Sequence, residues 1–149
     1  MKRIYVNEKW CLGCHLCEYY CAFAGSGGSD MARALLGIKI NPRISIEERD
    51  GISFAVSCRH CREPLCAKGC ITGAISIVDG VIAIDTDRCV SCYTCIMSCP
   101  FGAISPSDSG AAQKCELCIN TAKGEPACVS GCPNNAIVFE DRDNLLADE

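Results

Sequence analysis

Cys89-Val-Ser-Cys92-Tyr-Thr-Cys95-Ile-Met-Ser-Cys99-Pro100 is the stretch that decides the fold. Its spacing is C-x2-C-x2-C-x3-C-P. Three closely spaced thiols curl around one small object, and the fourth stands off by three residues. A tetrahedral zinc usually takes two separated C-x2-C pairs instead. Three near sulfurs plus one remote sulfur suit an iron–sulfur cubane, and in the bacterial run of this spacing the fourth cysteine ligates the other cluster of a pair.

Working outward, the same grammar recurs. Cys11, Cys14, Cys17 and Cys21 repeat the spacing, Cys58, Cys61, Cys66 and Cys70 stretch it to C-x2-C-x4-C-x3-C, and Cys115, Cys118, Cys128 and Cys132 stretch it to C-x2-C-x9-C-x3-C. All 16 cysteines of the 149 residues fall into these four groups. At about 11% the cysteine content exceeds the roughly 8–10% that is diagnostic by itself. Each group is expected to give three ligands to its own cluster and one to a partner, so that 16 cysteines hold four [4Fe–4S] clusters. A disulfide framework belongs to oxidising compartments. The opening Met1–Trp10 has no apolar core of a secretory leader, so a reduced, cytoplasmic setting is expected.

Three groups run into similar endings: Cys70-Ile-Thr-Gly-Ala-Ile, Cys99-Pro-Phe-Gly-Ala-Ile and Cys132-Pro-Asn-Asn-Ala-Ile. Between the second and third groups, apolar residues alternate from Ala74 to Ile84 across Asp79-Gly80, the strongest short hairpin signal. Residues 58–105 therefore read as an inner two-cluster module: strand, ligand loop, hairpin, ligand loop, strand. The first group departs from the repeat, because Cys21 leads into Ala-Phe-Ala-Gly-Ser-Gly-Gly-Ser. Ile4–Asn7 and Ala136–Glu140 read as opening and closing strands that pair.

The layout is then nested, with residues 1–21 plus 106–140 as an outer two-cluster module. The expected cubanes are Cys11, Cys14, Cys17 with Cys132; Cys115, Cys118, Cys128 with Cys21; Cys58, Cys61, Cys66 with Cys99; and Cys89, Cys92, Cys95 with Cys70. A sequential pairing, group one with two and three with four, is the alternative. Residues 22–57 connect the modules, with a short helix over Ser29–Leu36 and a hairpin of Ile38–Glu47 with Ile52–Val56 across Arg49-Asp50-Gly51. Pro42 suits an edge or a bulge there. Short helices are expected after Cys21, Cys70, Cys99 and Cys132, and residues 141–149 form an acidic tail. The fold class is α+β, ferredoxin-like.

The four groups, the phrase Arg59-His60-Cys61-Arg62-Glu63-Pro64-Leu65-Cys66 and the Cys-Pro-x-Gly-Ala-Ile ending resemble the four-cluster ferredoxin-type electron-transfer subunits. That family serves CO dehydrogenases, formate dehydrogenases, hydrogenases and molybdenum or tungsten oxidoreductases. The short length and the Cys58–Cys66 phrase look most similar to the CO-dehydrogenase-associated type of anaerobes. The resemblance spans roughly residues 3–140, and its nested ligand assignment carries over onto the same 16 positions. Ile71 departs from the repeat where proline is usual, and the longer insertions or membrane-anchoring tail of many relatives are missing. The resemblance implies two partners, a catalytic oxidoreductase subunit and a second redox protein or flavoprotein, in a hetero-oligomer.

A cluster held by four cysteines has no open coordination position, so the reading is a conductor with no catalytic site of its own. A diffusible polyferredoxin is the competing reading, and a zinc or disulfide module a third. An enzyme would need a group with a missing cysteine. The longest apolar runs fall far short of the roughly 20 residues that span a bilayer. The net charge of −4 disfavours nucleic acid. Four clusters at −2 each add −8 to that, giving roughly −12. His15 and His60 read as polar packing rather than iron ligands, and Arg59, Arg62, Lys68, Arg88 and Lys114 as solvated charges, the alternative being that such cations near clusters raise a potential. Trp10, Tyr19, Tyr20, Tyr93 and Phe101 read as shields against water. Gly25–Ser29 lacks the strand and helix of a dinucleotide loop.

Overall fold

The computed structural model describes residues 1–34, 36, 40–120 and 124–142. Among the described residues the strands pair two at a time, in four separate antiparallel ribbons. β1 (Arg3–Val6) pairs with β8 (Ile137–Glu140), with Ile4 opposite Phe139 and Val6 opposite Ile137. The chain thus closes its far end onto its start. Asn7 N–H extends the ladder to the Ala136 carbonyl at 2.7 Å, and the Met1 ammonium meets Asp141 at 2.5 Å.

Two ribbons turn on Asp-Gly. β2 (Ser45–Arg49) joins β3 (Ile52–Val56) through Asp50-Gly51, and β4 (Ile75–Val78) joins β5 (Val81–Ile84) through Asp79-Gly80. All four turn residues have positive φ, from 50° to 81°. A two-residue type I′ turn needs this geometry, and its twist matches the flanking strands.

β2 starts at Ser45, later than the alternation from Ile38 suggests. Residues 38 and 39 of that expected strand lie outside the described set. From Asn41 onward the chain has other bonds: Asn41 Oδ1 accepts from Gln113 Nε2 at 2.5 Å, and Arg43 N–H donates to Cys21 Sγ at 3.3 Å. Backbone donors committed to a ligand loop are not free for a ladder. In the fourth ribbon β6 (Ile104–Pro106) is the strand expected to close residues 58–105, and its partner β7 (Ala112–Lys114) has no counterpart in the sequence reading. Thus the strands at either end of residues 58–105 both take partners outside that stretch, β3 with β2 and β6 with β7.

A 3₁₀ turn covers Glu8–Trp10, and α1 (Leu16–Ser26) follows it. It ends at Gly27, whose φ of 67° is the left-handed cap that glycine adopts without a Cβ penalty. α2 (Met31–Ala34) lies within the expected short helix; residue 35 is outside the described set. The other helices correct an expectation. α3 (Leu65–Lys68), α4 (Thr94–Ser98) and α5 (Ala127–Ser130) precede the fourth cysteine of each group instead of following it. Pro64 and Pro126 stand at the N-caps of α3 and α5, where a missing N–H costs nothing. Cys99 is extended, with ψ of 112°, because a following proline disfavours the α region. Cys21 has no proline after it and α1 runs on past it, whereas α3 already stops at Gly69, before Cys70.

The buried residues form two cores. One gathers Cys17, Cys58, Cys115 and Cys128 with Ile4, Ile44, Val81 and Ile137. The other gathers Cys66 and Cys95 with Ile75, Ile82, Ile84 and Ile104. Gly131 fixes how α1 meets α5: a Cβ there would run into the Tyr20 ring. Among the described residues no helix is long and apolar enough to cross a membrane.

Candidate iron–sulfur sites

Each C-x2-C opening is a tight loop held by left-handed residues. Gly13 and His15 in the first group, His60 in the second, Ser91 and Tyr93 in the third, and Leu117 and Cys118 in the fourth have φ between 47° and 62°. Most carry side chains for which this conformation is strained. A chain that accepts such strain in every ligand loop wraps its thiols inward. The third cysteine then sits on a helix and the fourth one turn later. One turn advances about 5.4 Å along the axis. In α1, Cys17 and Cys21 are consequently displaced to two different sites.

Four cavities result. Cys11, Cys14, Cys17 and Cys132 line one, with Trp10, Ile46 and Ile137. Cys58, Cys61, Cys66 and Cys99 line another, with Leu65, Phe101 and Ile82. Cys70, Cys89, Cys92 and Cys95 line a third, with Tyr93 and Val90. Cys21, Cys115 and Cys118 line the fourth, with Arg43 and Glu116. Cys128 does not line that fourth cavity. It is buried at 4% exposure, and the nearby sulfurs of Cys115, Cys21 and Cys118 add to the effect of burial in raising it.

Open solvent included, the spaces measure about 330, 670, 320 and 680 Å³. Among the described residues no three His, Cys, Asp or Glu side chains converge on a point that could hold a single ion. All sixteen cysteines are unbridged.

Trp10, Phe101 and Tyr93 line three of these cavities while staying 55%, 37% and 37% exposed. They are lids with one wet face. The Tyr93 hydroxyl donates to the Gly110 carbonyl at 2.7 Å. Tyr20 packs on Gly131 and Tyr19 is exposed. His15 is exposed beside Glu18 at 2.7 Å.

Two polar residues that sequence reasoning left as ordinary are only 1% exposed, His60 and Lys114. Ile82 N–H donates to His60 Nδ1 at 3.1 Å. The proton of the neutral ring is therefore on Nε2, and that buried atom has no partner among the described residues. Burial, with the charges of Lys114 and Arg3, pushes His60 down to about 3. The Lys114 ammonium donates to the carbonyls of Ile82 and, at 2.8 Å, Cys115. Among the described residues no carboxylate pairs with it. A buried cation without a counter-charge is costly, and a buried donor without an acceptor costs about 1–3 kcal/mol. A dianionic iron–sulfur cluster is the partner that such an interior fits. The sixteen cysteines likewise fit four [4Fe–4S] clusters.

Burial pushes the thiols of Cys17 and Cys115 up to about 12, and raises Cys21, Cys66, Cys95 and Cys128 as well. The Thr94 hydroxyl, at 3.5 Å, holds exposed Cys92 below the ordinary range. Iron takes the thiolate, so ligation must displace protons. For a thiol raised above its ordinary value of 9, the thiolate fraction rises tenfold per pH unit throughout the neutral range. In the unfolded iron-free chain the thiols relax toward the free-peptide cysteine value of about 8.5 and are still mostly protonated at neutral pH, so cluster assembly should release acid, recorded in a pH-stat, and proceed several-fold faster at pH 8.5 than at 7.5. A pH-independent uptake would contradict this.

Residues 50–142 match the family model described as a 4Fe-4S dicluster domain. The chain is 38% identical to an iron-sulfur protein of Rhodospirillum rubrum, over 94% of this chain and 82% of that one. It is 34% identical to the electron transport protein HydN of Escherichia coli (strain K12), over 95% and 89%. It is 32% identical to the formate dehydrogenase iron-sulfur subunit of Haemophilus influenzae, over 94% of this chain and 51% of that protein. The chain thus spans about half of that subunit.

Proposed function

The chain belongs to the 4Fe-4S dicluster domain family and is an iron–sulfur electron-transfer protein, and from that premise we propose that it is the electron-relay subunit of a larger oxidoreductase. It passes electrons through four [4Fe–4S] clusters between a catalytic subunit, of the CO dehydrogenase, formate dehydrogenase, aldehyde oxidoreductase or hydrogenase type, and a second redox protein. The single observation that carries this is the composition of the four cavities. Each is lined by cysteines of one group together with a cysteine of another. Fifteen of the sixteen cysteines line these cavities, Cys128 lies buried beside Cys115, Cys21 and Cys118, and no group lacks the ligand whose absence would open a position for substrate.

When bound, each cluster supplies a one-electron couple. The chain's own residues keep the sites close together. Cys17 and Cys128 share a core with Cys58 and Cys115, and the Cys58 sulfur is near enough to raise Cys115. This supports a linear order: the Cys11 site, the Cys115 site, the Cys58 site, the Cys89 site. It also supports nested modules, residues 1–21 plus 106–140 around 58–105, joined through Cys115 and Cys58. The two ends of that line, near Trp10 and near Tyr93, face different partners.

An affinity-tagged chain recovered anaerobically from its own host should carry a catalytic subunit at one to one, with nickel, molybdenum or tungsten found by metal analysis. Recovery of the holo chain alone, active as a shuttle between two separate enzymes, would favour a diffusible polyferredoxin instead.

A further inference from the structure

We infer that Lys114 is a fixed internal cation shared by the Cys58–Cys61–Cys66–Cys99 and Cys115–Cys118–Cys128–Cys21 sites, a positioning charge that raises both reduction potentials together where the two modules meet. The inference rests on the iron–sulfur reading above and deepens it.

The geometry begins with β5. Ile82 faces Ile77 across the hairpin, and its backbone meets side chains from elsewhere. Its N–H goes to His60, from the second ligand loop, and its carbonyl to Lys114, from β7. Ile82 lines the Cys58–Cys99 cavity and shares a core with Cys66. The other bond of the Lys114 ammonium is to the carbonyl of Cys115, the first ligand of the fourth group. The charge is therefore pinned between the backbone of one site and a wall residue of the next.

Several other cations near ligand loops are engaged at the surface, and Arg43 beside the Cys115 site is paired with Glu116 at 2.8 Å. Lys68 pairs with Glu63 at 2.8 Å, Arg88 donates to the Thr72 carbonyl at 3.0 Å, and Arg59 stacks on Phe101 at 4.4 Å. Exposed charges are screened by salt, whereas a buried one is screened much less. Reduction adds one negative charge to a cluster, so a buried cation stabilises the reduced form and raises the potential. Net charge and hydrogen bonding are among the levers that set cluster potentials. Placed between two sites, one ammonium acts on both, and the electron crossing from one module to the other meets two couples matched by the same charge.

The test is an anaerobic redox titration of the holo protein followed by electron paramagnetic resonance, comparing wild type with Lys114→Met, Lys114→Gln and Lys114→Arg. Iron and sulfide are assayed on each sample, so loss of clusters is separated from a change in potential. In Lys114→Met and Lys114→Gln, two of the four couples should shift down. The expected shift is at least a tenfold change in the oxidised-to-reduced ratio, 59 mV for one electron. The other two couples should stay in place, and Lys114→Arg should restore the wild-type values. A uniform shift of all four, no shift, or no rescue by arginine would overturn the inference. If the neutral variants fail to hold clusters, wild type still decides. Its first two electrons should enter the two sites beside Lys114 and give a magnetically coupled spectrum, and two uncoupled signals would overturn the inference.

Discussion

Stripping the iron anaerobically with a chelator should abolish the far-ultraviolet circular dichroism of the native chain, together with its visible absorption. The reason lies in what the chain has without its clusters. Its four ribbons are each two-stranded, and an isolated two-stranded hairpin is marginal in water. Its longest helix has 11 residues and three of the others only four, below the roughly 12–15 at which an isolated helix begins to hold. Six of the twenty buried apolar residues among those described are cysteines, so ligands make up much of the core. A native domain is stable by roughly 5–15 kcal/mol in total, while a structural metal site can contribute on the order of 10–16 kcal/mol. Losing even one site is then comparable to losing the fold. An iron-free chain with native dichroism would show that the ribbons and helices stand without metal, and the account of stability would fail.

Cys132→Ala should cost the site of Cys11, Cys14 and Cys17, a hundred residues away in sequence, and spare that of Cys115, Cys118 and Cys128. Iron should fall by about four per chain, and one resonance should disappear. Cys21→Ala should do the reverse. The packing makes the direction specific. α1 and α5 lie against each other at Gly131 and Tyr20, which places Cys132 in the wall of the first cavity and Cys21 in the wall of the fourth. Loss of the Cys115–Cys128 resonance in Cys132→Ala would mean that each group keeps its own fourth cysteine, and the exchange between groups would be wrong.

The parts that could be read from residues alone have local causes. Asp50-Gly51 and Asp79-Gly80 are turn chemistry with one favoured geometry, and Ile4 and Ile137 are apolar strands at chain ends with nowhere else to be buried. The helices were misplaced although the signal was present: proline after Cys99 and Cys132 stops a helix at the cysteine, so the helical turn has to come before it. The partner of β6, β7, was missed because it is three residues long, although Ser107, Asp108, Ser109 and Gly110 are turn formers. Missing β7 had a consequence for the site. Alternation along it buries Ala112 and Lys114 and leaves Gln113 half exposed, and without that strand Lys114 reads as one more solvated lysine. His60 gives no signal in sequence at all. Its burial depends on a hydrogen bond to Ile82, 22 residues away.

The most direct test of the conductor is a coulometric reductive titration of freshly purified anaerobic protein, with iron and sulfide measured on the same sample. Four closed clusters require uptake of four electrons per chain, with iron and sulfide each near one per cysteine. A colourless sample, or one that takes up far fewer than four electrons at full iron loading, would contradict the account.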